Sequence, residues 1–230
     1  MTYRCTGRRA YSVLRRAYGV LCFIIAVVLL LTFCDNRIIE RATINYFPYE
    51  EGNWWRYLGD SDTLLVEVEP SDTLLQTEVT PVSFGGNIKY FVEDDRALSE
   101  YVNIVYNFSG DDYTIIENFI TRIELPLVYD NVYQDSLIDS LNVFGQWVTA
   151  QYRMSGAISE WENTDITEVF DTLYSEAGYK IELVTIYNLT SQDTTITDTT
   201  YLEEYYVPNK GLVRFYDGET WYDLIEYEVR

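Results

Sequence analysis

The stretch WYDLIEYEV, residues 221–229, alternates apolar and polar side chains in the manner of a β-strand. Trp221, Ile225 and Tyr227 fall on one side of an extended chain, whereas Glu226 falls on the other. A period of two is typical of an antiparallel strand that packs one face and exposes the other to water. This stretch therefore predicts a sheet with a buried face and a solvated face.

Similar runs, rich in β-branched and aromatic residues, recur along residues 46–230 at intervals of about ten residues, with Gly, Pro, Asn and Asp between them. This spacing predicts a mainly β fold, a single antiparallel β domain built as a curved sheet, a half-barrel or a sandwich. The best helical candidate is residues 132–144, where Leu137, Leu141 and Phe144 recur at helical spacing. We therefore expect at most one or two short helices in the domain.

The pentapeptide Ser-Asp-Thr-Leu-Leu occurs twice, at residues 61–65 and 71–75, with Pro70 between the copies. Proline followed by serine is typical of a turn, so the two copies predict a hairpin. The pentapeptide does not occur a third time, and a solenoid or propeller is not supported.

Charge is distributed unevenly along the chain. Residues 1–33 carry five arginines and no acidic residue, whereas from Cys34 onward 11 basic and 37 acidic residues give a formal charge of −26. A surface this negative repels nucleic-acid phosphates, so we expect no nucleic-acid partner.

Cysteine and histidine usage excludes several kinds of site from residues 46–230. The chain has no histidine, and Cys5, Cys22 and Cys34 all lie in or beside the N-terminal segment. Serine–histidine–acid sites, cysteine–histidine sites and zinc sites built on these residues are therefore excluded. Carboxylates are abundant, but no spacing singles out a glycosidase pair or an EF-hand loop. We assign no catalytic, metal-binding or cofactor-binding residue and predict a protein that is not an enzyme.

The N-terminus has the layout of an export signal or of a hydrophobic anchor helix. A basic region at residues 8–16 precedes an apolar run at 17–33. A run of this length is at the lower limit for a membrane span, so a cleaved signal peptide and a retained anchor both remain open. In either case residues 1–33 are the signal or anchor, 34–45 a tether and 46–230 an extracytoplasmic β-rich domain.

The sequence Leu31-Thr32-Phe33-Cys34 resembles the lipobox of bacterial lipoproteins. This resemblance implies that Cys34 becomes the lipidated N-terminus of the mature protein. We therefore predict a protein of the bacterial cell envelope that is anchored in a membrane, with its body in the periplasm or at the cell surface.

Three further motifs resemble those of a group of bacterial envelope lipoproteins. They are YFP at residues 46–48 with GNWWRY at 52–57, LPL at 125–127 with YDN at 129–131, and YYVPNKGLV at 205–213. In that group, a YFP and GNxWxY opening follows the lipidated cysteine, and a YxxGxGLV-like motif precedes the final strand. The resemblance implies a β-rich fold such as a curved antiparallel sheet, and it implies no particular activity.

Three functions follow as hypotheses. We favour a non-enzymatic envelope lipoprotein whose β domain binds a partner protein or has a structural role. The alternatives are a carrier for a lipid or a small apolar ligand, and a carboxylate-dependent hydrolase. A continuous apolar cavity would favour the carrier, and two facing carboxyls about 5 to 9 Å apart in a cleft would favour the hydrolase.

Overall fold

A computed structural model of the protein describes residues 45–161, 178–192 and 194–230, which belong to one compact unit, Asn45–Arg230. These residues form thirteen β-strands and, within the described ranges, no helix. The strands are β1 (Trp54–Leu58), β2 (Thr63–Val68), β3 (Asp72–Leu74), β4 (Thr77–Phe84), β5 (Asn87–Glu93), β6 (Ala97–Phe108), β7 (Asp111–Glu124), β8 (Val132–Val143), β9 (Gln146–Trp161), β10 (Gly178–Ser191), β11 (Thr194–Val207), β12 (Gly211–Tyr216) and β13 (Trp221–Glu228).

The strands form one antiparallel sheet in the order β7-β6-β5-β4-β2-β1-β13-β12-β11-β10-β9-β8, and β3 pairs with β4 at its side. Two meanders, one from each half of the chain, therefore meet where β1 pairs with β13. The two outer strands, β7 and β8, are consecutive in the chain, and the backbone N–H of Thr121 in β7 donates to Asp135 Oδ2 in β8 at 2.9 Å. The sheet is thus a nearly closed, barrel-like structure, and the prediction of a mainly β antiparallel fold is confirmed.

Apolar side chains pack on the concave face of this sheet in two clusters. The main core includes Trp55, Tyr57, Met154 and Leu224, all of which are almost completely buried. The distal core lies where the end of the β6–β7 hairpin meets β8 and β9, and it consists of Ile104, Ile115, Ile116, Val143, Val148 and Ala150. The concave face is therefore divided into two packed regions.

Two β-bulges in β7 bury consecutive residues. The register between β6 and β7 shifts at two places and leaves Ile115 and Arg122 without an opposing residue. A bulge adds one residue to one strand, so two neighbouring side chains can point to the same face. Ile115 and Ile116 are buried together in this way, as are Arg122 and Ile123. The second bulge directs an arginine toward the core.

The two motif-bearing stretches at residues 46–57 and 205–213 pack against each other. The rings of Phe47 and Tyr206 lie 4.8 Å apart, edge to face, and Trp55 Nε1 donates to the carbonyl oxygen of Lys210 at 2.7 Å. An aromatic pair and a satisfied indole N–H together stabilise this end of the main core.

The fully buried Asn53 holds three segments of the chain in place. Its Nδ2 donates to the carbonyl oxygen of Pro48 at 2.7 Å, and its Oδ1 accepts from the backbone N–H of Arg230 at 3.0 Å.

Gly211, at φ +82°, lies beside Pro48, where an added Cβ would approach the proline ring to 3.0 Å. Close packing and the positive φ both favour glycine there.

The predicted helix at residues 132–144 is wrong, because this segment forms strand β8 and the turn after it. Leu137 and Leu141 are four residues apart, an even spacing that places them on one face of a strand as well as of a helix. Phe144 lies in the turn, with φ +50°, and is largely exposed.

The hairpin predicted between residues 61–65 and 71–75 is also wrong. β3 turns back on β4 through Leu75 and Gln76, both at positive φ, and β2 pairs with the far end of the same β4. The eight-residue β4 is long enough to pair with both strands in turn, so the two pentapeptides do not pair with each other.

The alternation predicted for the last strand is interrupted. The register with β1 shifts at Ile225, which has no opposing residue. As a result Tyr222 and Leu224 face the main core on one side of the shift, and Tyr227 faces it on the other. Trp221 packs instead against side chains of the convex face.

Several predictions lie outside the described residues. These are the signal or anchor at residues 1–33, Cys34, most of the tether at 34–45, and a strand expected at 166–173. In the part of the chain that the structure describes, no helix has both the length and the apolar character needed to cross a membrane.

Candidate functional site

A charged cluster crosses the concave side of the sheet. Arg122 donates from Nη1 to Glu100 and from Nη2 to Glu204, and these three side chains are almost completely buried. Lys89 Nζ lies 3.4 Å from Glu100 Oε1 at the more exposed end. We call Lys89, Glu100, Arg122 and Glu204 the inner charged cluster. Its charges compensate one another, which is required because an unpaired charge in this environment would be strongly destabilising.

The inner charged cluster shifts the pKa values of Glu100 and Arg122 toward their charged forms. Burial alone would raise the pKa of Glu100, but the positive charges of Arg122 and Lys89 outweigh it and lower that pKa. Burial would lower the pKa of Arg122, but Glu204 and Glu100 raise it well above its usual value. Glu100 is therefore a poor general acid near neutral pH.

Two tyrosine hydroxyls extend the cluster into the main core. Tyr206 donates to Glu204 Oε2 at 3.0 Å, and Tyr133 donates to the carbonyl oxygen of Arg122 at 2.7 Å. Burial, together with the charge of Glu204, raises the pKa of Tyr206 well above its usual value. Both phenols therefore remain protonated donors, and the cluster links β6, β7, β8 and β11.

Glu203, the residue before Glu204, belongs to a second cluster on the convex face. Its carboxylate accepts from Lys180 Nζ at 3.1 Å, from the Tyr201 hydroxyl at 3.0 Å and from the Tyr205 hydroxyl. Burial alone would raise the pKa of Glu203, but these three hydrogen bonds outweigh it and lower the pKa. We call Lys180, Tyr201, Glu203 and Tyr205 the outer cluster.

Aromatic rings continue the outer cluster along the convex face. Arg214 Cζ lies 4.4 Å from the ring centroid of Trp221, whose ring is 5.3 Å from that of Tyr216. Arg214 Nε is 3.2 Å from Asp223 Oδ1, close enough for an ion pair although the two atoms lack hydrogen-bond alignment. These contacts fix the convex face of β12 and β13.

A groove of about 440 Å³ opens between β6 and the concave face of β9, β10 and β11. Four consecutive residues of β6, 102–105, line it. Successive strand residues point to opposite faces, so a groove lined by four in a row contacts the edge of that strand. The other lining residues are Tyr152, Thr185, Tyr187, Asp198 and Thr200.

Strand edges with a partner on only one side border this groove. β5 pairs with β6 at residues 98–100, and β12 pairs with β11 at 203–207. Within the described ladders, residues 101–108 of β6 and 194–202 of β11 therefore pair only with β7 and β10 respectively. In an antiparallel pair every second residue directs its N–H and C=O away from the partner, so both edges present backbone donors and acceptors.

A second pocket, of about 170 Å³, is lined by aromatic rings of Phe47, Tyr49 and Phe91 together with Glu50 and Glu93. It is smaller than the pockets that usually bind small molecules. The groove beside β6 is therefore the stronger candidate site.

The acidic residues Glu93, Asp94 and Asp95 lie at the end of β5 and in the connection to β6. Asp94 Oδ1 accepts from the backbone N–H groups of Arg96 at 2.7 Å and Ala97 at 2.9 Å, which closes the β5–β6 connection. Among the described residues, no three His, Cys, Asp or Glu side chains are grouped so that they could hold a metal ion.

The five tryptophans of the chain are divided by the fold. Trp55 and Trp161 are buried, Trp54 and Trp221 are half-buried, and Trp147 is exposed. They therefore do not form one surface.

Sequence reasoning missed the residues of the inner charged cluster. Arg122 and Glu204 are separated by 82 positions. The available signal is an arginine between the apolar residues Ile120 and Ile123.

Comparison of the chain with protein-family models, curated proteins and solved structures finds no match. The candidate site is consequently defined by its geometry and its chemistry alone.

Proposed function

We propose that the protein is a non-enzymatic, membrane-anchored component of the bacterial cell envelope whose β domain binds a partner protein in the groove beside β6. The observation that carries the proposal is the groove itself, bordered by strand edges that pair on one side only. The inner charged cluster supports it, because ion pairs from β6 to β7 and from β7 to β11 connect the two walls of the groove. A groove with fixed walls suits a partner that binds without large rearrangement.

A carrier for a lipid or small apolar ligand is the second candidate. A volume of about 440 Å³ falls in the range of small-molecule sites, and Val102 and Ile104 contribute apolar surface. Asn103, Asp198 and the hydroxyl-bearing residues make the lining largely polar, however. An acyl chain would leave these groups without hydrogen bonds, which favours a partner with polar groups of its own.

A carboxylate-dependent hydrolase is less well supported. Glycoside hydrolysis by a carboxyl pair requires a general acid with a raised pKa. Glu100 and Glu204 both bind Arg122, and the pKa of Glu100 is lowered.

The groove can be tested by photo-crosslinking in cells with a photoreactive phenylalanine at Val105. Ile88, an apolar residue of β5 with similar exposure, provides the matched control position. We expect a discrete protein adduct from position 105 and none from position 88. Stoichiometric lipid in the purified protein, with no adduct from position 105, would overturn the proposal in favour of the carrier.

The anchor requires a separate test, in which the intact mass of the membrane-extracted protein is compared with that of Cys34→Ala. We expect a mature chain that begins at lipidated Cys34, and an uncleaved mutant. An unmodified full-length chain in both samples would replace the lipid anchor with a retained N-terminal helix.

A further inference from the structure

The free edge of β6 lacks the residues that usually protect such an edge. Residues 101–108 read YVNIVYNF and contain no charged residue and no proline. Natural sheets commonly block their edges with lysine, proline or inward-pointing charges, because an unblocked edge pairs readily with another strand. By comparison β8, one of the two outer strands of the sheet, carries Asp135 and Asp139. The β6 edge is thus chemically competent to accept a strand.

The unpaired edge of β6 is long enough for one extended segment. At about 3.3 Å per residue, eight residues of β6 present roughly 26 Å of edge. The groove is bounded opposite by Tyr152, Thr185 and Tyr187 on the concave face of β9 and β10. A strand added to β6 would direct every second side chain to the concave side, beside Val102 and Ile104 and toward these hydroxyl groups.

The negative charge of the protein restricts which kind of segment can bind in the groove. Asp198 is the charged residue in the lining of the groove, and the chain from Cys34 onward has a formal charge of −26. A second copy of the chain would be repelled by this charge, whereas a segment rich in lysine or arginine would be attracted.

We propose that the groove binds an extended, positively charged segment of the partner protein, which adds as a strand to residues 101–108 of β6. This inference rests on the proposed function and specifies its binding mode. Main-chain hydrogen bonds to β6 provide affinity, and the contacts with Asp198 and the hydroxyl groups select basic and polar side chains at alternate positions.

The test uses the full chain and a synthetic peptide of about eight residues that alternates lysine with valine or threonine, long enough to span the free edge. A control peptide carries the same side chains but has alternate backbone amides methylated, so one edge cannot donate hydrogen bonds. We expect the unmethylated peptide to bind at least about tenfold more tightly. Hydrogen exchange at residues 101–108 should slow only with that peptide.

A charge variant tests the selectivity. We expect Asp198→Asn to weaken binding of the unmethylated peptide about two- to threefold, because a charge exposed at a groove contributes modestly. Asp95→Asn, in the exposed β5–β6 turn, is the matched control and should leave binding unchanged.

Two results would overturn the inference. Equal affinity for both peptides would show that only charge is recognised. Slow exchange at residues 101–108 that depends on protein concentration without peptide would identify a second copy as the occupant. In either case an adduct between position 105 and a different protein would still support a partner in the groove, so failure of the binding mode is distinguishable from failure of the function.

Discussion

Glu203 and Glu204 are consecutive on β11 and nearly equally buried, yet they have opposite kinds of environment. Glu204 faces the concave side and shares one guanidinium, that of Arg122, with Glu100. Glu203 faces the convex side and has three donors, Lys180, Tyr201 and Tyr205, of which Lys180 and Tyr201 also contact Glu182. Similar burial therefore conceals a difference in redundancy, since one cation, Arg122, binds both inner carboxylates, whereas three donors bind the single outer carboxylate.

The largest effect is expected from Arg122→Met, which would leave Glu204 buried without its cation and Glu100 with Lys89 alone. Breaking a buried ion pair on one side typically costs about 3–5 kcal/mol, because the remaining charge is uncompensated. Urea denaturation followed by tryptophan fluorescence measures the loss.

The control for this change is Arg56→Met, which removes an ion pair with Glu226 at the surface. Exposed pairs contribute only about 0–1 kcal/mol, so this variant should remain close to the wild type. Equal losses of stability in the two arginine variants would contradict the dependence of the buried carboxylates on Arg122.

A pair of tyrosine variants compares the two faces directly. Tyr206→Phe removes a donor from Glu204 within the core and should destabilise the protein by about 1–3 kcal/mol. Tyr205→Phe should cost about 1 kcal/mol or less, because Lys180 and Tyr201 still bind Glu203. Thermal denaturation measures the loss of stability in both variants. A larger loss in Tyr205→Phe than in Tyr206→Phe would contradict the expected difference between the two faces.

The pH dependence of stability tests one carboxylate on each face of the sheet. The pKa values of Glu100 and Glu203 are lowered in the folded state, so each carboxylate stabilises the fold above its unfolded pKa, near 4.5. This contribution is lost as the pH falls through the lower folded-state pKa. We therefore expect Glu100→Gln and Glu203→Gln each to show a shallower loss of stability below pH 4.5 than the wild type, measured by denaturation at stepwise pH. An acid limb as steep as that of the wild type in both variants would contradict the assignment.

The smallest effect is expected from Lys180→Met. Lys180 contacts both Glu182 and Glu203, but it is partly exposed, and the two tyrosines continue to donate to Glu203. A change of about 0–1 kcal/mol follows. A loss comparable to that of Arg122→Met would show that the outer cluster also depends on one cation.

Local patterns in the sequence predicted the strands, because a period of two and the turn residues are properties of neighbouring positions. Which strands pair with each other could not be predicted from these local patterns. The spacing of Leu137 and Leu141 fits both a helix and a strand, and only the contact with β9 selects the strand. The pentapeptides at residues 61–65 and 71–75 suggested a local hairpin, whereas β4 pairs with both strands.

The candidate site was not predictable for a related reason. Arg122 reaches the concave face through a bulge, and a bulge depends on the register of two strands rather than on either sequence alone. The groove exists because β6 and β11 extend beyond their partners β5 and β12, a mismatch that appears only when strand pairs are known.

The pairing of β1 with β13 affects when the fold can be completed. Trp54 opposes Glu228, so the first strand obtains this neighbour only after almost the entire domain has been synthesised. Contacts so distant in sequence slow folding, because the intervening chain must be ordered before they form. For a chain that we propose is exported, this delay is useful. In an exported chain, the middle of the sheet would stay incomplete until the last strand had crossed the membrane.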